Sequence, residues 1–136
     1  MKNIVSQTFN SDPDLLPEIE DFILDIIEKE FKLSDKIKNN IELAVAEAAA
    51  NCVIHGNNSN PEKILKLNIF QNTNRIVISF KHEGKGFNPK NVPDPTIPEN
   101  ILKGSGRGIY IMQTLVDDLK FKFDADGTEL ILSFNI

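Results

Sequence analysis

Glu47 and Asn51 stand four residues apart in a stretch patterned as a helix, and five of the seven glycines fall farther along, between Gly84 and Gly108. Residues four apart on a helix share a face. A carboxylate placed there can take up a proton, and the amide oxygen one turn on can ligate a hard divalent cation such as Mg²⁺, which prefers oxygen donors and keeps several waters. The glycines are arranged as His82-Glu83-Gly84-Lys85-Gly86-Phe87 and, beyond a loop holding Pro89, Pro93, Pro95 and Pro98, as Gly104-Ser105-Gly106-Arg107-Gly108-Ile109. Glycine lets backbone amides come close to a ligand. A glycine run that opens into a helix adds unpaired N–H groups and the positive end of the helix dipole, a ready site for phosphate. Taken singly, Glu47 and Asn51 read more readily as a solvated helix flank, and Arg107 as a surface cation. Their order along the chain is what points to a nucleotide. The P-loop pattern G-x-x-x-x-G-K-[ST] is absent, and no G-x-G-x-x-G follows a strand directly, so neither of those phosphate-binding motifs applies.

These residues need elements to position them. Ile4 to Phe9 could form a short edge strand, although its alternation is poor. After Ser11-Asp12-Pro13, the set Leu15, Leu16, Ile19, Phe22, Ile23, Ile26, Ile27 and Phe31 recurs at three- and four-residue steps and predicts an amphipathic helix. Ser34 then caps a second helix, whose stripe of Ile37, Ile41, Ala44, Val45, Ala48 and Cys52 runs to a stop at His55-Gly56. Glu47 and Asn51 project beside that stripe, at the rim of the core. The period then changes to two: Leu65, Leu67 and Ile69 alternate with polar residues, as do Ile76, Ile78 and Phe80 after the turn Asn72-Thr73-Asn74. A short helix from about Ile109 to Val116 and a second hairpin, turning at Asp124-Ala125-Asp126-Gly127, complete the order β-α-α-β-β-loop-α-β-β. Hairpins with one apolar face need cover. The expected fold is therefore an α+β two-layer sandwich, a mixed, mostly antiparallel sheet covered by helices.

Composition bounds the function classes. The 136 residues, 40% hydrophobic and 26% charged, suit one domain over 1–136 with one core. A formal net charge of −5 argues against a nucleic-acid partner, which calls for a basic face. One cysteine, Cys52, excludes an internal disulfide and reads as a buried structural thiol. With two histidines beside it no zinc set can be assembled, and His55 reads as a cap for carbonyls at the end of its helix. The start of the chain lacks an apolar signal core, and no segment approaches the roughly 18 apolar residues of a membrane span. The expectation is a cytoplasmic protein that binds no membrane.

The ordered motifs resemble those of the Bergerat-type (histidine-kinase-like) ATPases, and among them the bacterial anti-sigma-factor serine/threonine-protein kinases that act by partner switching. The likeness covers nearly the whole chain: Glu42-Leu43-Ala44-Val45-Ala46-Glu47-Ala48-Ala49-Ala50-Asn51, Gly84-Lys85-Gly86-Phe87-Asn88-Pro89, the proline-rich lid, Ser105-Gly106-Arg107-Gly108-Ile109, and Leu115-Val116-Asp117-Asp118 with Gly127-Thr128-Glu129-Leu130. The resemblance implies ATP and Mg²⁺ as cofactors. By it, Asn51 ligates Mg²⁺, Glu47 accepts the proton of the serine being phosphorylated, and Gly84 and Gly86 shape the adenine pocket. Gly104, Gly106, Arg107 and Gly108 hold phosphates beneath a flexible ATP lid over about residues 87–107, and Thr128 lines the pocket. It also implies a homodimer whose protein partners are a sigma factor and an anti-sigma-factor antagonist.

One position departs from the family pattern. Where the adenine-reading motif has an aspartate two residues before its first glycine, this chain has His82. A neutral imidazole accepts one hydrogen bond through its bare nitrogen and an imidazolium accepts none, so nucleotide affinity is expected to weaken below about pH 6.5. Glu83 does not substitute, because strand alternation turns it to the opposite face. His82 leaves open the alternative of a non-catalytic partner-binding module with a degenerate nucleotide site. A third reading, the catalytic domain of a histidine kinase, calls for a dimerising helix with a phosphoacceptor histidine, and the 136 residues leave no room for one.

Overall fold

Ile19, Ile23 and Ile27 recur at every fourth position and all are buried, which is why Leu16–Glu30 folds as the first helix, α1, against the sheet. In this computed structural model, which describes residues 1–83 and 104–136, α1 follows a 3₁₀ turn at Pro13–Leu15. Asp12 caps that turn by accepting from the Asp14 amide at 2.9 Å. Ser34 caps α2, Asp35–Ala50, by accepting from the Ile37 amide at 3.3 Å. The helical path then continues through a wider π-helical turn, Asn51–Gly56, rather than running to Gly56 as α-helix. The Asn57 amide donates back five residues to the Cys52 carbonyl at 2.9 Å. Such insertions recur at functional sites; this one buries Asn51, Cys52, Val53 and Gly56 together.

The sheet has five strands in the order β1-β2-β3-β5-β4. They are β1 (Lys2–Asn10), β2 (Ile64–Asn72), β3 (Arg75–His82), β4 (Asp118–Asp124) and β5 (Gly127–Asn135). The expected mixed sheet is corrected here, since every neighbouring pair is antiparallel. The physical reason lies in the last crossover. The chain leaves β3, passes through α3 (Gly104–Leu115) and returns in β4, which runs in the same direction as β3; β5 then inserts between them and removes the one parallel contact. At the opposite edge, β1 carries a bulge between Asn3 and Val5, which shifts its inside–outside phase and accounts for its poor alternation.

Alternation places Leu65, Leu67, Ile69, Ile76, Ile78 and Phe80 on one face, fully buried on the helix-covered side. Phe22 of α1 meets Phe9 of β1 edge-on, ring centroids 5.6 Å apart. The other face carries Lys66, Lys81, Lys120 and Lys122, with Lys81 Nζ 3.2 Å from Asp124 Oδ2. Of the sequence-derived assignments, Gly84 and Gly86 lie outside the described residues, as does the 87–103 part of the lid.

Candidate functional site

The site is assembled from α2, the π-helical turn, the start of α3 and the ends of β3 and β5. Glu47 is half-buried on α2, and Asn51, only 5% exposed, opens the π-helical turn one helical turn on. The Asn51 amide donates to the carbonyls of both Ala48 and Glu47, so its backbone is fixed to the α2 ladder. α3 packs against α2 here, and a β-carbon at Gly108 would lie 3.2 Å from Glu47 Oε2. That contact is what the glycine allows: it sets the carboxylate against the first turns of α3.

The glycine box proves to lie inside α3 and not ahead of it. The helix begins at Gly104, so Gly104, Ser105, Gly106 and Arg107 are its opening residues, although a helix from about Ile109 is what periodicity suggested. Glycine disfavours helix by up to about 1 kcal/mol per position, so apolar periodicity detects the helix only past the run. The first four amides of any α-helix lack partners within it. Glu47 therefore faces an element whose start carries N–H groups without intrahelical acceptors and the positive end of the dipole, an arrangement able to hold phosphate oxygens beside a proton acceptor.

The second group gathers around His82. The register puts it directly across from Thr128 of β5 on one side and Leu65 of β2 on the other, on the helix-covered face; His82 and Thr128 are each 2% exposed. The imidazole lies flat over Gly56: a β-carbon built there would sit 2.7 Å from Cγ, Cδ2 and Cε1 alike. Gly127, at φ +150°, presses against the His82 carbonyl, which a β-carbon would meet at 1.9 Å. His82 Nδ1 is buried and lacks a hydrogen-bond partner. Burial, and after it the positive charge of Lys63, pulls the His82 pKa below the usual histidine value, so the ring is held neutral.

Sequence reasoning missed Gly56 and Asn57 as parts of the site. Asn57 is fully buried; its Nδ2 donates to Ser11 Oγ at 2.7 Å and to the Ile64 carbonyl at 3.3 Å, while its Oδ1 accepts from the Glu83 amide at 3.0 Å. Glu83 in turn accepts from the Ile64 amide through Oε2. This knot ties the exits of β1 and β3 to the entry of β2, fixing where β3 hands over to the glycine-rich segment. The signal in the sequence was the His55-Gly56 stop, which marks a helix end anywhere and leaves Asn57 unmarked. His55 itself is exposed, and Cys52 is fully buried with burial pushing its thiol up to about 12, an inert structural thiol.

The fit to a metal nucleotide follows from this donor chemistry. Among the described residues no cluster of three His, Cys, Asp or Glu could hold an ion unaided. Asn51 offers one hard oxygen donor, which suits Mg²⁺ that arrives with phosphate and keeps its waters. A cleft of about 350 Å³ lined by Ile64, Lys66, Lys81, His82, Glu83 and Asp126 also reaches this end of the sheet. Its lysines alternate with Leu65 and His82, so it opens on the far face and not between sheet and helices.

Comparison with known proteins agrees with this fold. Residues 9–134 match the family model described as histidine kinase-like ATPase domain. The chain is 33% identical over 84 residues to the anti-sigma F factor of Bacillus cytotoxicus, a match covering 59% of this chain and 56% of the relative. For that of Clostridium beijerinckii it is 26% identical over 103 residues, covering 72% of each. The chain thus spans a little over half the length of the first of these relatives. Among solved structures, the fold superposes on the RsbU and RsbW domains of a Mycobacterium tuberculosis protein with a TM-score of 0.64 at 13% identity, covering 96% of this chain and 31% of that one. It also superposes on the mycobacterial sensor histidine kinase MprB with a TM-score of 0.59 at 16% identity, covering 96% and 97%. An α+β sandwich of this topology, matched by the family model over residues 9–134, belongs to the histidine kinase-like ATPase domain family.

Proposed function

We propose that the chain is a Mg-ATP-dependent protein serine/threonine kinase and anti-sigma factor, which sequesters a sigma factor and phosphorylates an anti-sigma-factor antagonist. The observation that carries this reading is the placement of Glu47 against Gly108, one turn from Asn51. Phosphoryl transfer needs positioning and charge neutralisation more than covalent help. In this reading Glu47 takes the proton of the acceptor hydroxyl. Asn51 lends its side-chain oxygen to Mg²⁺, which when bound neutralises charge on the transferred phosphoryl group. Arg107 and the amides at Gly104 and Gly106 hold the phosphates at the start of α3, while Gly108, whose amide lies past the first four, keeps a side chain away from Glu47. His82, Thr128, Gly84 and Gly86 surround the base. The name borne by the curated relatives supports a sigma factor as the sequestered partner. The family likeness supports a homodimer and a cytoplasmic setting; among the described residues no helix is long and apolar enough to cross a membrane.

Incubating the protein with γ-labelled ATP, Mg²⁺ and a candidate antagonist tests the reading. Acid-stable phosphoserine or phosphothreonine on the acceptor, lost with Glu47→Gln, is the expected result. Nucleotide binding without transfer to any hydroxyl acceptor would leave a binding module, the reading favoured by His82 at the base position; an acid-labile product would point to phosphohistidine chemistry.

A further inference from the structure

His82 is more than a weakened aspartate. Buried side-chain nitrogens are nearly always paired, and among the described residues the one left without a partner is His82 Nδ1. The ring that carries it is not loose. Its face rests on Gly56, with three ring atoms equidistant from the β-carbon position at 2.7 Å, and its backbone is wedged by Gly127. Leu65 and Thr128 flank it in register on the helix-covered face. The glycines therefore hold the ring in place on the helix-covered side of the sheet, against the π-helical turn that Asn51 opens.

What a group can read there depends on its donors and acceptors. An ionised carboxylate only accepts, so it suits the 6-amino group of adenine and repels a 6-oxo group. A neutral imidazole has one N–H and one bare nitrogen, and the proton can reside on either. With the proton on Nε2, Nδ1 accepts from a 6-amino group; with the proton on Nδ1, it donates to a 6-oxo group. No charge is gained or lost in the exchange. We propose that His82 makes this base pocket tolerant of 6-oxopurines, so that it takes inosine and guanosine triphosphates beside adenosine triphosphate. The inference rests on the nucleotide-binding reading above and deepens it by naming the substrate class.

The test is a calorimetric titration of the intact protein, with Mg²⁺ at pH 8, against ATP and against inosine triphosphate, which matches ATP except at the purine 6-position and N1. Expected dissociation constants lie within about tenfold of each other, whereas a site that reads the 6-amino group through a buried acceptor rejects the oxo analogue by orders of magnitude. In His82→Asp the ratio should swing toward ATP by about a hundredfold, because only the acceptor remains. In His82→Asn, whose amide both donates and accepts, it should stay near the parent value. The parent ratio needs no variant to fold. ATP binding with inosine triphosphate more than about a hundredfold weaker overturns this inference and leaves the kinase reading standing. An unchanged ratio in a folded His82→Asp overturns His82 as the determinant. Absence of binding to every nucleotide overturns the nucleotide reading and the inference with it.

Discussion

Asn51 and Glu47 share a helix face but carry different duties, and substitution separates them. A ligand at a hundred times its dissociation constant adds about 2.7 kcal/mol to stability, so saturating Mg-ATP should raise the melting temperature of the parent at pH 8, and Asn51→Ala should lose most of that rise. Glu47→Gln keeps shape and removes the proton acceptor; its nucleotide-induced shift should persist while transfer to a hydroxyl falls by about 10²- to 10⁴-fold. Equal loss of binding and transfer in Glu47→Gln would instead assign it a structural part. His82 adds a pH signature. Its folded pKa lies below the unfolded value, so the unfolded chain binds the extra proton first; the neutral ring stabilises the fold above about pH 6.5, and that contribution drains away as pH falls through the folded value. Chemical denaturation between pH 8 and pH 5 should show stability declining in the parent and a shallower decline in His82→Asn. Identical pH profiles would mean that the ring protonates as readily in the fold as in solution.

At the scale of elements, the glycines are contact points, and they differ in what they tolerate. Gly127 combines φ +150° with a backbone carbonyl 1.9 Å from its β-carbon position, so Gly127→Ala should destabilise by about 2 kcal/mol or more, measured by denaturant midpoint. Among the described residues Gly108 faces the carboxylate of Glu47 at 3.2 Å, and it sits inside α3, where alanine favours helix by up to about 1 kcal/mol. Gly108→Ala should thus hold or gain stability while transfer activity drops, because the methyl group displaces Glu47. α1, α2 and both hairpins were legible in the sequence because their apolar residues repeat cleanly at the helical or strand period. The π-helical turn was not: its Asn57-to-Cys52 hydrogen bond replaces an α-type one without altering residue type. The start of α3 was masked by its own glycines, which weaken helical propensity at the place where the amides are wanted.

At the scale of the molecule, the sheet and the three helices among the described residues enclose one core, so a single cooperative unfolding transition is expected. Scanning calorimetry should give an enthalpy of about 95 kcal/mol near 60 °C, from about 0.7 kcal/mol per residue, with calorimetric and van't Hoff values in agreement; two resolved transitions would break the one-domain description. Order along the chain determined much here. Period-two and period-3.6 patterns gave the layers, and the succession of Glu47, Asn51, two glycine clusters and Thr128 gave the family likeness, because both depend on local spacing and chain order. Only the tertiary structure decided that β5 lies between β3 and β4, that Glu47 meets Gly108, that Asn57 knots three strand ends, and that the His82 ring lies on Gly56 with Nδ1 unpaired. Each of these joins residues far apart in sequence, 26 positions between His82 and Gly56 alone. Such contacts are set by how faces pack and how strands register, which residue type and spacing do not encode one position at a time.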